Sequence, residues 1–419
     1  MNHTASPVPR TRHVTGRYTL MQSSYWASYC VILTFSSVYL LHQGFRNTEI
    51  GILISVSGIL SAVLQPVVSR AADNLKRMSL RQFAMVLLVV QTVFSGLLRV
   101  LTAPAAQTVL YGCLMILLQL VLPLCSALGM DCLNRGIPLN FGVARGIGSV
   151  AYGVFSALCG RLVLWLGENS LPLAMLAINL VLLLSVATFR FRTPEAAGEG
   201  ETSPKAEDTP ADTRPFLRKY RGMVWILLGV VCLFISHNVL NTYAFQIVQP
   251  LGGTSEEMGT MLSIQAFAEL PVMFGFVLLL KKASSRSLVR VCGVGFFLHA
   301  LGAWMAPGMG VLYGVQIFEM PGYALYTLAS IYWINDAVAP GDRVQGQAWF
   351  AMAMTLGNVL ASFAGGLLLD YAGVSLLLAF ATAAGGVGMV LLLVLLGKGR
   401  SCRKGMNPWE KAENTSSPA

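Results

Sequence analysis

Three ionisable side chains interrupt long apolar stretches of the sequence. They are Glu269, His299 and Glu319. Ionisable groups inside a membrane are costly, and they usually face a cavity or a partner and serve a function. A carboxyl group in a cavity of low dielectric constant can bind and release a proton near neutral pH. Both glutamates are therefore candidates for proton transfer. The alternative is a structural role, in which fixed hydrogen bonds to the carboxyl group stabilise helix packing. His299 could share a proton with Glu319 or only cap a carbonyl group.

A second pair of charged residues flanks a short polar segment between two apolar stretches. Asp131 precedes this segment and Arg145 follows it. A guanidinium group presents a planar fork of donors that suits hydroxyl pairs or a carboxylate. The two side chains could meet across the segment and bind a solute. The alternative is an ordinary charged pair on the cytoplasmic surface.

Hydrogen-bonding side chains also recur beside aromatic rings at helical spacing. One face of the segment 316–333 carries Gln316, Glu319, Tyr323, Tyr326, Ser330 and Trp333. Asn238, Asn241 and Phe245 share a face of another segment. Such faces are unfavourable against lipid, so they predict a cavity lining. Amides beside flat rings suit a neutral polyhydroxy ligand.

The elements that carry these residues belong to a membrane protein. The chain has 419 residues, of which 55% are hydrophobic and 11% charged, with a mean hydropathy of +0.64. Soluble domains carry about 25% charged residues. Cytosolic enzymes, nucleic-acid binders and disulfide scaffolds are excluded as descriptions of the whole chain. The cysteines form no CxxC pair, and no P-loop or catalytic triad is present, so we expect no enzyme, metal site or cofactor.

Apolar runs bounded by charges, Gly and Pro predict twelve transmembrane helices, since each needs about 20 residues. We call them spans 1 to 12. Their predicted bounds are 19–42, 49–71, 80–102, 106–133, 141–166, 171–189, 222–248, 258–280, 287–306, 310–334, 344–370 and 374–397.

The distribution of basic residues predicts the orientation of these spans. With both termini in the cytoplasm, every Lys and Arg falls at the cytoplasmic side except Arg46, Arg99, Arg145 and Arg161. This asymmetry fits the positive-inside rule and an even number of spans. We therefore expect a multi-pass protein of the cell membrane with both ends inside, and the net charge of +10 reflects that orientation.

The segment 193–216 divides the chain into two halves. It is rich in Pro, Glu, Gly, Ser and Thr, which predicts a disordered linker. Residues 48–58 (TEIGILISVSG) also line up with 256–266 (EEMGTMLSIQA), as in a duplicated unit. The expected fold is an all-α membrane protein with two pseudo-symmetric six-helix bundles and a substrate site between them. The predicted regions are a tail at 1–18, bundles at 19–192 and 217–397, the linker at 193–216 and a tail at 398–419.

Several segments resemble the major facilitator superfamily, and within it the lactose permease branch of oligosaccharide:proton symporters. The segment 51–82 is similar to that branch's span 2 and following loop. FGVARGIGSVAYG at 141–153 is similar to the segment that supplies the sugar-binding arginine. AEL at 268–270, LHALG at 298–302 and FEMP at 318–321 resemble the segments with the coupling residues.

The resemblance implies a role for each matching residue. It places a sugar-binding arginine at Arg145, its acidic partner at Asp131, a stacking aromatic at Tyr152, a sugar-binding and coupling glutamate at Glu269, a coupling group at His299 and the proton-carrying glutamate at Glu319. The chain departs from the family pattern at Gln316, Tyr313, Asn238, Asn241 and near Thr355, where charged groups of the family are absent. In the family, acids at the positions of Asn238 and Asn241 pair with a lysine near the position of Thr355. Because both partners are missing here, no buried charge is left unpaired.

The expected function is secondary transport by alternating access, with proton-coupled uptake of a sugar or related polar solute by a monomer in the lipid bilayer. The expected coupling residues are Glu319, Glu269 and His299. The expected substrate contacts are Asp131, Arg145, Tyr152, Glu269, Gln316, Asn238, Asn241 and Tyr323. Alternatives are import of nucleosides or aromatic acids, drug–proton antiport, and a membrane sensor that transports nothing.

Overall fold

A computed structural model describes residues 12–73, 78–135, 137, 139–190 and 216–397. Within these ranges every regular element is a helix, in agreement with the predicted all-α fold. The predicted tails before residue 12 and from residue 398 onward, and the linker up to residue 215, lie outside the described residues.

The first six spans follow the predicted order. Their helices are Arg12–Tyr29, Cys30–Thr34 and Ser36–His42 in span 1, Asn47–Asp73 in span 2, Leu80–Val100 in span 3, Pro104–Asn134 in span 4, Phe141–Leu166 in span 5 and Leu171–Thr188 in span 6. Span 1 bends at a π-helical turn. Pro104 begins span 4, where its missing N–H has no consequence because the first residue of a helix has no intrahelical acceptor.

The second six spans repeat this plan. Their helices are Arg221–Thr242 and Ala244–Val248 in span 7, Ser255–Lys282 in span 8, Ser285–Trp304 in span 9, Met309–Val315 to Leu325–Ala337 in span 10 and Arg343–Gly397 in spans 11 and 12. Short helical turns lie at Glu168–Ser170, Phe216–Lys219, Gln249–Leu251 and Pro340–Asp342.

The number of spans agrees with the predicted twelve. Among the described residues, nine helices are long and apolar enough to cross a membrane, or ten when the bent pair of span 1 is included. The longest of these is two spans, because Gly373 has φ 76° and breaks the helix there. Span 10 supplies the twelfth crossing. It is not counted among the long helices because 3₁₀ and π-helical turns interrupt it.

Local sequence explains where span 8 begins and ends. Thr254 precedes the helix, and its hydroxyl accepts a hydrogen bond from the Glu256 amide at 3.2 Å. The Glu257 carboxylate accepts one in return from the Thr254 amide at 2.7 Å, which completes a capping box. Acidic residues in the first turn and Lys281 and Lys282 in the last complement the helix dipole. This span carries Glu269 in its middle.

Span 10 changes its helical pitch at the residue of greatest interest. A 3₁₀ turn ends at Glu319 and a π-helical turn, Met320–Ala324, follows. Span 9 packs closely here, since a Cβ atom on Gly295 would lie 2.7 Å from the Cα of Gly322. The absence of side chains at both positions lets the two backbones approach. His299, one turn beyond Gly295, is thereby brought beside Glu319.

The two bundles pack most closely against each other at one end. We call the end that carries residues 12, 190, 216 and 397 the termini face, and the opposite end the distal face. One hydrophobic core extends through the first bundle into the distal half of the second. A separate core, which contains Phe234, fills the termini half of the second bundle. The space between the bundles is therefore closed towards the distal face.

Close helix contacts maintain this distal closure. Spans 5 and 8 meet where Gly160 faces Ser255. The two backbones are close here: a Cβ atom added to Gly160 would lie 3.0 Å from the Cα of Glu256. Spans 2 and 11 meet through Asp370, whose carboxylate accepts hydrogen bonds from the Thr48 amide at 2.8 Å and the Asn47 side chain at 2.9 Å. Small residues allow such close approach of helices in membranes.

Asp370→Ala is expected to loosen the distal closure. The substitution removes the acceptor that holds Asn47 and Thr48 of the other bundle. At an exposed site this contact contributes about 1 kcal/mol, so we expect about a fivefold shift of the population towards distal opening.

Pulsed EPR distances between labels at the exposed distal positions Arg46 and Tyr371 would report this opening. Glu168→Gln is the control, because Glu168 pairs with His42 of its own bundle at 3.3 Å. Unchanged distances in the Asp370 variant would show that this contact does not contribute to the closure.

Candidate functional site

A cavity of about 710 Å³ lies between the two bundles. Both halves of the chain line it. The lining residues are Trp26, Tyr29, Leu33, Thr34, Ile54, Gln119, Val143, Arg145, Gly146, Ser149, Tyr152, His237, Asn238, Asn241, Thr242, Gln265, Ala266, Glu269, Met273, Phe274, Tyr323, Thr327, Leu328 and Asn358. A cavity of this size accommodates a small organic molecule.

The first bundle contributes a guanidinium group held by aromatic rings. The Cζ atom of Arg145 lies 4.1 Å from the centre of the Trp26 ring, a cation–π arrangement. Nη1 of Arg145 is buried and has no hydrogen-bond partner among the described residues. Because buried polar groups are normally paired, this donor is available to a ligand.

Aromatic side chains continue from Trp26 along the same wall. The rings of Trp26 and Tyr29 are 5.3 Å apart, and those of Tyr29 and Tyr152 are 6.2 Å apart. The Tyr152 hydroxyl lies 3.2 Å from the Thr34 hydroxyl, within hydrogen-bond distance. The wall therefore presents flat apolar faces with hydroxyl groups at their edges, which suits a ligand with C–H faces and hydroxyl groups.

The second bundle contributes amides and a carboxylate. Gln265 donates a hydrogen bond to the side-chain oxygen of Asn241 at 3.1 Å, and Asn238 donates one to the Phe234 carbonyl at 2.7 Å. Glu269 is 9% exposed and lines the cavity. No ion pair with Glu269 is present in the described part of the chain, so its carboxyl group is open to a ligand or a proton.

Glu319 lies behind this wall and is 1% exposed. Its Oε1 atom is 3.2 Å from Nδ1 of His237 and 3.1 Å from Nδ1 of His299. Neither carboxylate oxygen has a well-aligned hydrogen-bond donor within the described residues. His237 in turn stacks on Tyr323, with ring centres 4.5 Å apart and planes at 5°. Because His237 and Tyr323 both line the cavity, they separate Glu319 from it.

Six of the predicted substrate contacts line the cavity: Arg145, Tyr152, Asn238, Asn241, Glu269 and Tyr323. Gln316 does not. It is 2% exposed, and its side-chain oxygen lies 3.1 Å from Nε2 of His299. Gln316 and Glu319 were both expected in the cavity wall. The structure corrects this expectation, because both side chains lie behind the wall. The change of helical pitch in span 10 turns both side chains towards span 9.

Asp131 also lies elsewhere than expected. Its carboxylate pairs with Nε of Arg135, one turn along the same helix, at 2.9 Å. Arg145 instead stacks on Trp26. The expected contact of Asp131 with Arg145 is therefore absent, because a basic residue at the i+4 position offers Asp131 a nearer partner.

The sequence analysis missed His237 and Gln265. Both were hidden in the apolar runs of spans 7 and 8. The available signal was spacing, since His237 precedes Asn241 by four residues and thus shares its helical face. The same rule relates Gln265 to Glu269.

Two six-helix bundles around a central polar cavity are the architecture of a membrane transporter. The chain belongs to the MFS_1-like family of the major facilitator superfamily, whose model matches residues 18–380. The chain is therefore a multi-pass membrane transporter. A comparison of the sequence with curated proteins finds no significant match.

Solved structures share this fold at low sequence identity. The nucleoside transporter NupG is 15% identical with a TM-score of 0.74, over 93% of this chain and 100% of that one. A bacterial homologue of the drug peptide transporters PepT1 and PepT2 is 13% identical with a TM-score of 0.67, over 92% and 98%. A bacterial homologue of ferroportin in an inward-facing state is 14% identical with a TM-score of 0.66, over 92% and 99%.

Proposed function

We propose that this protein carries out proton-coupled uptake of a neutral polyhydroxylated solute, with sugars as the first candidates. The observation that supports this most is the chemistry of the cavity wall. Its described lining residues include one guanidinium group, Arg145, and one carboxyl group, Glu269, among amides and aromatic rings. These opposite charges favour a solute without net charge, whose hydroxyl groups can satisfy both.

The aromatic wall selects for the shape of the solute. Tyr29 and Tyr152 offer faces to the C–H surface of a sugar ring, while Asn238 and Asn241 offer amides to its hydroxyl groups. A nucleoside is the second candidate, since its base could stack on Trp26 and its ribose could occupy the amide side. An aromatic acid would bring a negative charge beside Glu269, and Arg145 is the one permanently charged cation among the described lining residues.

Glu319 supplies the coupling in this proposal. A carboxyl group that is 1% exposed is stable when it is protonated or paired with a charged imidazole. Proton binding at Glu319 therefore changes the charge immediately behind His237, which the solute contacts. Substrate binding and proton binding are thus linked, as a symporter requires.

The protein in this proposal is a monomer of the cell membrane with both termini in the cytoplasm, in keeping with the positive-inside rule. The termini face is then cytoplasmic. Since the bundles are closed at the distal face, the closed side is the extracellular side in this proposal.

An uptake panel tests this function. Purified protein in liposomes is given an inward proton gradient and labelled monosaccharides, disaccharides, nucleosides and aromatic carboxylic acids. We expect accumulation of a neutral sugar, or of a nucleoside, that collapses when a protonophore is added. Tyr152→Phe, which keeps the ring, and Tyr152→Ala, which removes it, form a matched pair, and only the second should lose uptake. Accumulation of an aromatic acid or extrusion of cationic drugs instead would overturn the proposal.

A further inference from the structure

The side-chain amide of Asn238 has a fixed orientation in the cavity wall. Asn238 lines the cavity, and its nitrogen donates a hydrogen bond to the Phe234 carbonyl at 2.7 Å, one turn earlier in span 7. A backbone carbonyl only accepts hydrogen bonds, so the nitrogen and not the oxygen must lie there. The oxygen of Asn238 is therefore the end that is left for a ligand, and no described residue donates to it.

The same reasoning orients Asn241, which also lines the cavity. Its nitrogen donates to the His237 carbonyl at 2.9 Å, so its oxygen lies at the other end of the amide, where Gln265 donates to it at 3.1 Å. An amide oxygen has two lone pairs, and Gln265 uses one of them. Asn241 therefore also offers a ligand an oxygen with a lone pair left over.

A hydroxyl group of span 10 is committed in the same way. Thr327 lines the cavity, and its hydroxyl donates to the Ala324 carbonyl at 2.8 Å. With that proton used, the oxygen of Thr327 has lone pairs alone to offer. Glu269 of span 8 completes the set, because an ionised carboxylate group only accepts hydrogen bonds. We call Asn238, Asn241, Glu269 and Thr327 the acceptor patch.

The wall of the first bundle has the opposite polarity at Arg145. A guanidinium group only donates hydrogen bonds, and the buried Nη1 atom of Arg145 has no partner among the described residues. Arg145 and Glu269 attract each other electrostatically, yet they form no ion pair in the described part of the chain. The cavity thus separates a donor on one bundle from a group of acceptors on the other.

We propose that the acceptor patch recognises the hydrogen atoms of neighbouring hydroxyl groups on the substrate, so that the transported solute must donate hydrogen bonds to the second bundle. This inference rests on the proposed function, whose substrate class it narrows to solutes with neighbouring hydroxyl groups. The physical reason is desolvation. The oxygen atoms of the patch lose water when the solute binds, and a solute group that only accepts leaves them unpaired. Sites built to bond a substrate hydroxyl reject analogues without it by orders of magnitude.

The polarity of the patch distinguishes two kinds of substrate analogue. A deoxy analogue lacks one hydroxyl group altogether, whereas a fluorodeoxy analogue keeps a small electronegative atom that cannot donate. Against the acceptor patch, the fluorine atom is as unfavourable as the missing hydroxyl group. Against Arg145, the fluorine atom still accepts weakly from the guanidinium group, so the fluorodeoxy analogue should bind more tightly than the deoxy analogue.

Isothermal titration with purified, full-length protein tests this assignment. The probes are D-glucose, lactose and uridine, each with its monodeoxy and monofluorodeoxy derivatives. For a probe that binds, we expect neighbouring positions at which both derivatives lose about tenfold or more in affinity. Fluorodeoxy derivatives that bind as tightly as the parent at every position would overturn the acceptor patch, even if uptake of the parent depends on protons. Binding by none of the three probes would instead overturn the proposed function.

Variants of Thr327 connect the analogues to the protein. Thr327→Val replaces the hydroxyl group with a methyl group of similar size and should weaken binding about threefold to tenfold, whereas Thr327→Ser should retain the affinity. In Thr327→Val, fluorine at the position that Thr327 contacts should have no further effect, because one hydrogen bond cannot be lost twice.

Thr382→Val is the matched control for this substitution. Thr382 makes the same bond to the Leu378 carbonyl at 2.8 Å but lies in span 12, away from the cavity lining, so its loss should leave affinity unchanged. Asn238→Ala repeats the comparison if Thr327→Val does not fold. Losses from fluorine that are the same in the wild type and the variant at every position would overturn the contact between the patch and the substrate hydroxyl groups.

Discussion

Glu319→Gln is expected to abolish uphill accumulation of substrate while exchange of substrate across the membrane persists. The amide has nearly the shape of the carboxyl group, so it can remain between His237 and His299. It cannot take up or release a proton. With one proton per substrate, each pH unit of gradient supports about tenfold accumulation. The variant should fall to equal concentrations on both sides.

Two transport modes separate coupling from damage to the fold. Proton-driven uptake measures accumulation, and counterflow with preloaded substrate measures exchange without net proton movement. Glu269→Gln is the comparison variant, because Glu269 lines the cavity and its loss should weaken substrate binding in both modes. Intact accumulation by Glu319→Gln would show that the coupling proton binds elsewhere.

Arg145→Lys is expected to weaken substrate affinity about tenfold to a hundredfold. Lysine retains the positive charge but loses the planar fork of donors and the stacking on Trp26 at 4.1 Å. Nη1 of Arg145, which has no hydrogen-bond partner among the described residues, would otherwise bond to substrate hydroxyl groups. Since a hydrogen bond to a charged group contributes about 1.5–3 kcal/mol, the loss of one such bond accounts for this range.

Isothermal titration with the substrate found in the uptake panel measures this change. Arg17→Lys is the control, since within the described residues Arg17 donates to the backbone carbonyls of Thr188 and Arg190 at the termini face. Trp26→Phe tests the stacking partner separately and should cost less than Arg145→Lys. An affinity that is unchanged in Arg145→Lys would exclude this guanidinium group from the binding site.

Most of the helical framework follows from the sequence because hydropathy reports it directly. The twelve apolar runs became twelve spans, and the family model matches residues 18–380. Gly153 and Gly160 are seven residues apart, which puts them on one face of span 5, and both face span 8. These features depend on patterns within one segment, which a single sequence contains in full.

The site within span 10 was harder to predict, because a regular helix was assumed. A constant helical pitch places Gln316, Glu319 and Tyr323 on one face. The 3₁₀ and π-helical turns between Gln316 and Ala324 change the angle per residue. Tyr323 therefore faces the cavity while Glu319 faces span 9. Pro321 in this segment was a signal for such a break.

Contacts between spans were the least predictable part of the site. His237 of span 7 contacts Glu319 of span 10, and no pattern within span 7 specifies the distance between these two side chains. Asp131 was expected to meet Arg145 across the short segment between spans 4 and 5, whereas Arg135 stood one turn away. Local helix geometry would have favoured the nearer pair.

Movement of protons with the solute is the most direct test of the account as a whole. Liposomes that contain the purified protein and a trapped pH-sensitive dye receive an inward gradient of the neutral solute, with no pH gradient at the start. The predicted result is acidification of the liposome interior that depends on the solute and is absent with Glu319→Gln. Solute entry at the full wild-type rate without any change of internal pH would contradict the account.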